Sequence, residues 1–295
     1  MIMRKRLFII GLIMTLSLSA CTTTSAQMKA EAGTQETEVR NNETSTVTET
    51  VSVMEGAEAE NLSLSKYMRT VYKAADNEYY DELCYKALDM YEKNDGKKQV
   101  KVYESTKDDC TFLREYFNNC FGYTKNIRMT VWKTKSSETY YCGFLEITNG
   151  KENVDEYLSV VKKAQEISKT LIADTNDKTI DNTLNWIRKN AVVNTDTNYD
   201  QNNDYSINFY YGVYENKPIE CVGYALGVYQ LCRMNGVLAS VLNMIDTTDN
   251  IGHAADLVTY SDGKKYVDMA FDEIKNTIPK KYSVYFNSSN QKKLE

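Results

Sequence analysis

The chain contains one histidine, His253, and this restricts where imidazole chemistry can occur. A nucleophilic site that uses a histidine as its general base must therefore include His253. A cysteine nucleophile in turn needs surroundings that favour its thiolate, such as a helix N-terminus or a neighbouring imidazole. Cys221 is predicted at the first turn of a helix, where the helix dipole favours negative charge. Cys221 and His253 are therefore the candidate nucleophile and base.

The helix that carries Cys221 is predicted over 221–235, between Pro218 and Gly236. Proline before a helix and glycine after it are typical boundaries, and a segment that is apolar on most faces is typical of a buried helix. Cys232 lies about 16 Å along the same helix at roughly 1.5 Å per residue, so it cannot pair with Cys221. Cys232 is predicted to be an inert core thiol. The same role is the alternative for Cys221, since free cysteine is among the most buried residue types.

Two aspartates, Asp268 and Asp272, follow the predicted hairpin turn after His253. This turn holds Asp262 and Gly263, a strong hairpin signal. Centring the hairpin there puts His253 opposite Asp272, with Asp268 on the same face but two pairs away. The register alone therefore prefers Asp272, and a bulge or a longer loop would be needed to bring Asp268 near the imidazole.

Four short segments follow one another in a recognisable order. They begin at Glu220, Leu231, Gly252 and Asp262 and read E-C-V-G-Y-A, L-C-R-M-N-G-V, G-H-A and D-G-K-K-Y-V-D. Together they resemble the core of the transglutaminase-like superfamily, a relative of the papain-like cysteine peptidases. The resemblance covers roughly residues 176–272.

The resemblance implies an α+β fold: a papain-like or transglutaminase-like core in which a buried nucleophile helix packs on an antiparallel sheet. It also implies a role for each candidate residue. Cys221 is the nucleophile, His253 is the general base and acid, and Asp268, rather than Asp272, orients the imidazole through its other nitrogen.

Two parts of such a site are less well defined by the sequence. Family members often carry Trp and Asn after the His-Ala pair, where this chain has Ala255 and Asp256. A donor for the oxyanion is expected as well, and the backbone N–H of Cys221 is the first candidate. The weaker candidates are Tyr210, Tyr211 and Tyr214.

The N-terminal residues predict export and a lipid anchor. Residues 1–20 read as a signal peptide, with a basic start and an apolar run from Leu7 to Leu18 that is too short to span a bilayer. The run ends in L-S-A-C at Cys21, which resembles the bacterial lipobox, after which the cysteine is lipidated. Residues 21–61 are predicted to be this lipidated cysteine and a disordered tether, because the tether has no aromatic side chain to bury. We expect anchoring to the outer face of the bacterial cell membrane.

Acyl transfer through a thioester is the expected chemistry. Resolution by water would make the protein a peptidase or amidase, the favoured outcome, and resolution by an amine would make it a transglutaminase. The expected partner is a protein or peptide substrate, with cell-wall peptides as one candidate class. The alternative is a binding or assembly lipoprotein that uses the transglutaminase-like fold without turnover.

Charge and motifs argue against several other classes of protein. The net charge is -6, and the absence of a basic cluster beyond the signal argues against nucleic acid as a partner. No C-x-x-C pair occurs, so no structural zinc site is predicted. The segment that starts at Asp196 does not match a calcium-binding loop, because Gln201 and Ile207 occupy the positions where such a loop needs glycine and glutamate. We predict no cofactor and no metal.

The folded part is predicted to comprise two units: residues 62–150 form a small α+β module, and residues 151–295 form the transglutaminase-like domain. In an oxidising compartment the cysteines of the first unit could form disulfides, although the sequence leaves their pairing open. These cysteines are Cys84, Cys110, Cys120 and Cys142.

Overall fold

A computed structural model describes residues 62–121, 127–134, 138–193, 212–214, 216 and 218–290. The predicted signal peptide, the lipidation site Cys21, the tether and the segment compared with a calcium loop lie outside these residues. Within the described ranges, no helix is both long and apolar enough to cross a membrane.

The first part of the described chain combines helices with a three-stranded sheet. Its elements are α1 (Leu64–Val71), α2 (Glu78–Lys93), β1 (Val100–Ser105), α3 (Lys107–Tyr116), a π-helical turn (Phe117–Phe121), β2 (Thr130–Lys133) and β3 (Tyr140–Phe144). The strands are antiparallel in the order β1-β3-β2. The α-helical part of α3 ends at Tyr116, and the π-helical turn follows it directly.

The second part packs helices against a larger sheet. Its elements are α4 (Gly150–Leu171), α5 (Asn176–Asn190), β4 (Val192–Val193), β5 (Pro218–Ile219), α6 (Cys221–Met234), β6 (Ala239–Asp246), β7 (Ile251–Tyr260), β8 (Gly263–Asp268), β9 (Glu273–Lys275) and β10 (Tyr282–Asn287). Five of these strands form an antiparallel sheet in the order β10-β6-β7-β8-β9. Helix α6 packs on β6 and β7 of this sheet.

Helix α6 is buried along nearly its whole length, as its apolar sequence predicts. It contacts α4 and α5 as well as the sheet, so other elements surround it on several sides. A buried helix packed on an antiparallel sheet is the arrangement expected from the sequence. The α+β fold class is confirmed.

Helix α5 begins with a side-chain cap. Thr175 is the N-cap residue, and its side chain accepts a hydrogen bond from the backbone N–H of Lys178. Asp177 lies two residues after this N-cap, inside the first turn of the helix. Its carboxylate accepts hydrogen bonds from the backbone N–H and the hydroxyl of Ser261, in the loop between β7 and β8.

One hydrophobic core joins the two predicted units. The same buried cluster includes Leu88 of α2, Phe144 of β3, Val161 of α4 and Tyr229 of α6. The boundary between residues 150 and 151 stays a prediction.

The cysteines of the first part are free buried thiols, so the disulfides that the sequence allowed are not formed in this structure. Burial raises the pKa of all four thiols. They are Cys84, Cys110, Cys120 and Cys142. In the described part of the chain, no group of three His, Cys, Asp or Glu side chains is placed to hold a metal ion.

A buried arginine links the end of α6 to the first part of the chain. Arg233 is 1 % exposed and donates hydrogen bonds to Asp81 of α2 at 2.5 Å, to the carbonyl of Ala74 at 2.8 Å and to the hydroxyl of Tyr229 at 2.6 Å. Tyr116 of α3 donates to the other oxygen of Asp81 at 2.7 Å. The charged groups are thus paired and hydrogen-bonded, as burial requires.

Replacing Arg233 by methionine should strongly destabilise the protein, because Asp81 would remain buried without its cation. We expect the free energy of unfolding to fall by about 3–5 kcal/mol, measured by urea denaturation. The matched control is Arg69→Met, which removes an exposed ion pair with Glu82 and should cost less than about 1 kcal/mol. Equal losses in the two variants would contradict this account.

Candidate active site

Cys221 is the first residue of α6. Glu220 before it is extended, with φ -109° and ψ -175°, so the chain turns into the helix at the cysteine. The side chain lies against Ala225 of the same helix and Ala254 of β7. The residue is 8 % exposed, which leaves the thiol at the edge of the buried region and at the positive end of the helix dipole.

His253 of β7 is held between a carboxylate and aromatic rings. Its Nε2 atom is 2.7 Å from Oδ2 of Asp268 at the end of β8. The imidazole stacks on Tyr282 of β10, with ring centroids 5.2 Å apart and an angle of 16° between the planes. Phe271 contacts it as well, at 5.0 Å and 44°. The ring thus has contacts that define both its position and its plane.

The carboxylate of Asp268 is 1 % exposed, so its hydrogen-bond partners come from the protein. Besides His253, Oδ2 accepts a hydrogen bond from the hydroxyl of Tyr266 at 2.7 Å. The other oxygen accepts from the backbone N–H of Phe271 at 3.4 Å. Tyr266 lies two residues earlier on the same strand and is fully buried. Asp268 is therefore fixed from its own strand and from the turn that follows it.

The register of the hairpin differs from the prediction and explains why Asp268 reaches the histidine. Tyr260 pairs with Gly263, so the loop is Ser261 and Asp262 rather than Asp262 and Gly263. Gly263 has φ +125°, a backbone conformation that glycine adopts readily. Relative to the predicted register, the pairing of the two strands is shifted by two residues. Asp268 is therefore only one same-face position away from the residue opposite His253, and no bulge is needed to bring it there.

Asp272, which the predicted register preferred, lies elsewhere. It has φ +55° and forms an ion pair with Arg188 of α5, with 2.5 Å between Nε and Oδ1. The side chain of Asp272 is 59 % exposed. The structure thus brings Cys221, His253 and Asp268 together and leaves Asp272 outside this group.

The electrostatics of His253 follow from these contacts. Burial alone would lower its pKa, but hydrogen bonds with Asp268 and Cys221 and the negative charges on both raise it to about 9. Because Nε2 faces Asp268, Nδ1 is the nitrogen left for the thiol. A neighbouring imidazolium is one of the surroundings that favour a cysteine thiolate.

Asp256, three residues after His253 on β7, is a buried acid with both carboxylate oxygens unpaired. It is 1 % exposed. Burial, followed by the negative charges of Asp268 and Asp76, raises its pKa well above the usual value for aspartate. The surroundings of Asp256 therefore favour its neutral, protonated form. Asp256 and Asp268 therefore need not both carry a negative charge.

The structure places the expected hydrogen-bond donors for the oxyanion in different surroundings. The backbone N–H of Cys221 has no acceptor within its own helix, as for any first helical residue, and it lies beside the thiol. Tyr214 is buried, and its hydroxyl donates a hydrogen bond to Gln230 of α6 at 3.1 Å. Tyr210 and Tyr211 lie outside the described residues. The N–H of Cys221 is the donor that the geometry favours.

Sequence reasoning missed the aromatic residues around the histidine. Tyr266 could have been found, because it lies two residues before Asp268 and side chains alternate along a strand. Phe271 follows at the next turn. Tyr282 carries no such signal, since β10 lies beyond the segment that resembles the family and pairs with β6 rather than with β7.

Comparisons with known proteins are sparse. No protein-family model matches the chain, and no curated protein does. Among solved structures, a transglutaminase aligns over 53 % of this chain and 47 % of its own, with 16 % identity and a TM-score of 0.31. A "putative cysteine protease" from Cytophaga hutchinsonii aligns over 54 % of this chain and 70 % of its own, with 12 % identity and a TM-score of 0.29. The chain thus spans less than half the length of that transglutaminase.

The single histidine makes its ionisation directly measurable. We expect the His253 ring signals in proton–carbon NMR to titrate near the pKa of about 9 given by its contacts. Asp268→Asn should lower this value towards about 6.5, the usual pKa of histidine, because the carboxylate charge is lost. The control Asp272→Asn should leave it unchanged. A larger effect of Asp272→Asn would show that the wrong carboxylate has been paired with the imidazole.

Asp256 should make stability depend on pH. Its folded pKa is raised above the unfolded value, so its contribution is fully present below the unfolded pKa of about 4 and is lost as pH rises. Asp256→Asn removes this loss. Between about pH 4.5 and pH 8, the free energy of unfolding of the variant should gain at least about 1.4 kcal/mol relative to the wild type, the equivalent of one pKa unit.

The control for this measurement is Asp174→Asn, at an aspartate whose side chain is 90 % exposed. Its difference from the wild type should stay constant over the same pH range. A constant difference for Asp256→Asn as well would mean that Asp256 is ionised in the fold.

Proposed function

We propose that this chain is a transglutaminase-like cysteine enzyme that cleaves or transfers peptide or amide bonds through a thioester. The observation that carries the proposal is the position of the single histidine, whose Nε2 lies 2.7 Å from Oδ2 of the buried Asp268. Cys221, at the start of α6, packs against Ala254, the neighbour of His253 on β7, and its thiol helps to raise the pKa of the imidazole. Cys221 is the nucleophile, His253 is the general base and acid, and Asp268 orients the imidazole.

In the first half of the reaction, the Cys221 thiolate attacks the amide carbonyl and forms a carbon–sulfur bond. The negative charge that develops on the carbonyl oxygen would be stabilised by the backbone N–H of Cys221 and by the helix dipole. His253 then gives its proton to the leaving nitrogen as the carbon–nitrogen bond breaks. The products are a free amine and a thioester on Cys221.

In the second half, His253 removes a proton from the acceptor that attacks the thioester. When the acceptor is water, the acid is released and the protein acts as a peptidase or amidase. When the acceptor is an amine, a new amide forms and the protein acts as a transglutaminase. Hydrolysis is the reaction that we favour, because water is a small acceptor that needs no binding site of its own, whereas an amine acceptor must be bound.

The proposed location suggests the substrates. A lipid at Cys21 would hold the folded part at the outer face of the cell membrane. Proteins at the surface and cell-wall peptides both offer amide bonds there. This part of the proposal is supported by the N-terminal sequence and is independent of the site geometry.

The proposal predicts a selectively reactive thiol. Iodoacetamide should alkylate Cys221 of the full-length chain at about pH 6, read by peptide mass spectrometry, because the imidazolium favours the thiolate. His253→Ala should slow this labelling by at least about tenfold. Cys232 of the same helix is 0 % exposed and provides an internal control that should stay unlabelled.

An outcome in which Cys221 labels no faster than an ordinary thiol of pKa about 8.5 would contradict the proposal. The binding or assembly lipoprotein would then replace the enzyme. Equal labelling of Cys221 with and without His253 would have the same meaning, because the imidazole would not activate the thiol.

A further inference from the structure

Tyr282 reaches the candidate site from the last strand of the described chain. Its ring lies nearly parallel to the imidazole of His253, at 16° and 5.2 Å between centroids. In sequence the two residues are separated by the whole of β8 and β9. The contact therefore depends on the tertiary fold, in which β10 lies two strands from β7 in the same sheet.

The ring of Tyr282 is held in place from several directions. It packs against the buried cluster formed by Leu242, Met244, Ala255 and Tyr266. Lys281 lies over the ring, 4.4 Å from its centroid, and forms an ion pair with Asp246 at 2.8 Å. Asp246 is also the residue that pairs with Tyr282 across β6 and β10. The strand pairing, the cluster and the ion pair thus fix the same ring.

The orientation of the imidazole decides whether the site can work. One nitrogen must face Asp268 while the other faces Cys221, and a rotation of the ring out of this plane would break both contacts at once. Hydrogen bonds to Asp268 define a direction for Nε2, but a ring can still tilt about that direction. A flat partner stacked on the imidazole removes this freedom.

We propose that Tyr282 is a positioning residue: its ring fixes the plane of the His253 imidazole and keeps water from the hydrogen bond between His253 and Asp268. This inference rests on the proposed function, since it concerns the same nucleophilic site. Within a region that excludes water, a charge-assisted hydrogen bond is stronger than in solvent. The ring, rather than the hydroxyl, carries this role, because the contact with His253 is a stacking of the two rings.

The test compares three variants of the full-length chain. Tyr282→Leu removes the ring, and Tyr282→Phe removes only the hydroxyl. Tyr285→Leu is the matched control, because Tyr285 lies on the same strand but is 60 % exposed. Two quantities are measured: the rate at which iodoacetamide alkylates Cys221 at about pH 6, and the NMR signal of the Nε2 proton of His253, which is unambiguous because the chain has one histidine.

Tyr282→Leu should slow alkylation by about tenfold and lose the Nε2 proton signal to exchange with water, because a small misplacement of a catalytic group is costly. Tyr282→Phe and Tyr285→Leu should stay within about twofold of the wild type and keep the signal. Circular dichroism establishes that each variant is folded. If Tyr282→Leu does not fold, Tyr282→Met takes its place, since its flexible side chain fills the space without a ring.

Two results would overturn the inference, and they can be told apart. A reactive wild type whose rate and signal survive the loss of the ring overturns the role of Tyr282 and leaves the proposed function intact. A wild type without selective labelling of Cys221 overturns the proposed function and this inference with it.

Discussion

The buried ion pair between Arg233 and Asp81 is the constraint on which the position of α6 depends. Arg233 lies at the C-terminal end of the helix that begins at Cys221, and its guanidinium is 1 % exposed. A charge this deep must be met by an anion and by hydrogen-bond acceptors, and here α2 and the segment before it supply them. The N-terminal end of α6 thus carries the Cys221 thiol, and its C-terminal end holds the helix against the first part of the chain.

This arrangement gives the first part of the chain a structural reason to be present. It carries no chemistry of its own that the sequence reveals, yet it holds Asp81 and Tyr116, which complete the surroundings of Arg233. A helix fixed at its far end can hold its first residue at a constant distance from the sheet. The position of Cys221 beside His253 therefore depends on residues far from the site in sequence.

Much of the site could be predicted because it depends on local signals. Proline before α6 and glycine after it, together with the apolar sequence, placed Cys221 at a helix start, and the one histidine limited the possible partners. The hairpin register could not be predicted with the same success, because both Ser261-Asp262 and Asp262-Gly263 are plausible two-residue loops and a shift of two residues preserves the face. Tyr282 could not be predicted, since β10 is far from His253 in sequence and pairs with β6 rather than with β7.

The free thiols of the core would have a consequence if, as proposed, the protein is exported. With Cys84, Cys110, Cys120 and Cys142 at 0–1 % exposure, an oxidant cannot reach them in the folded molecule. A molecule that opens exposes all four together, and thiols freed in an oxidising medium pair with whichever partner is nearest. Unfolding would then be irreversible. The lifetime of the protein would be set by its unfolding rate rather than by its equilibrium stability.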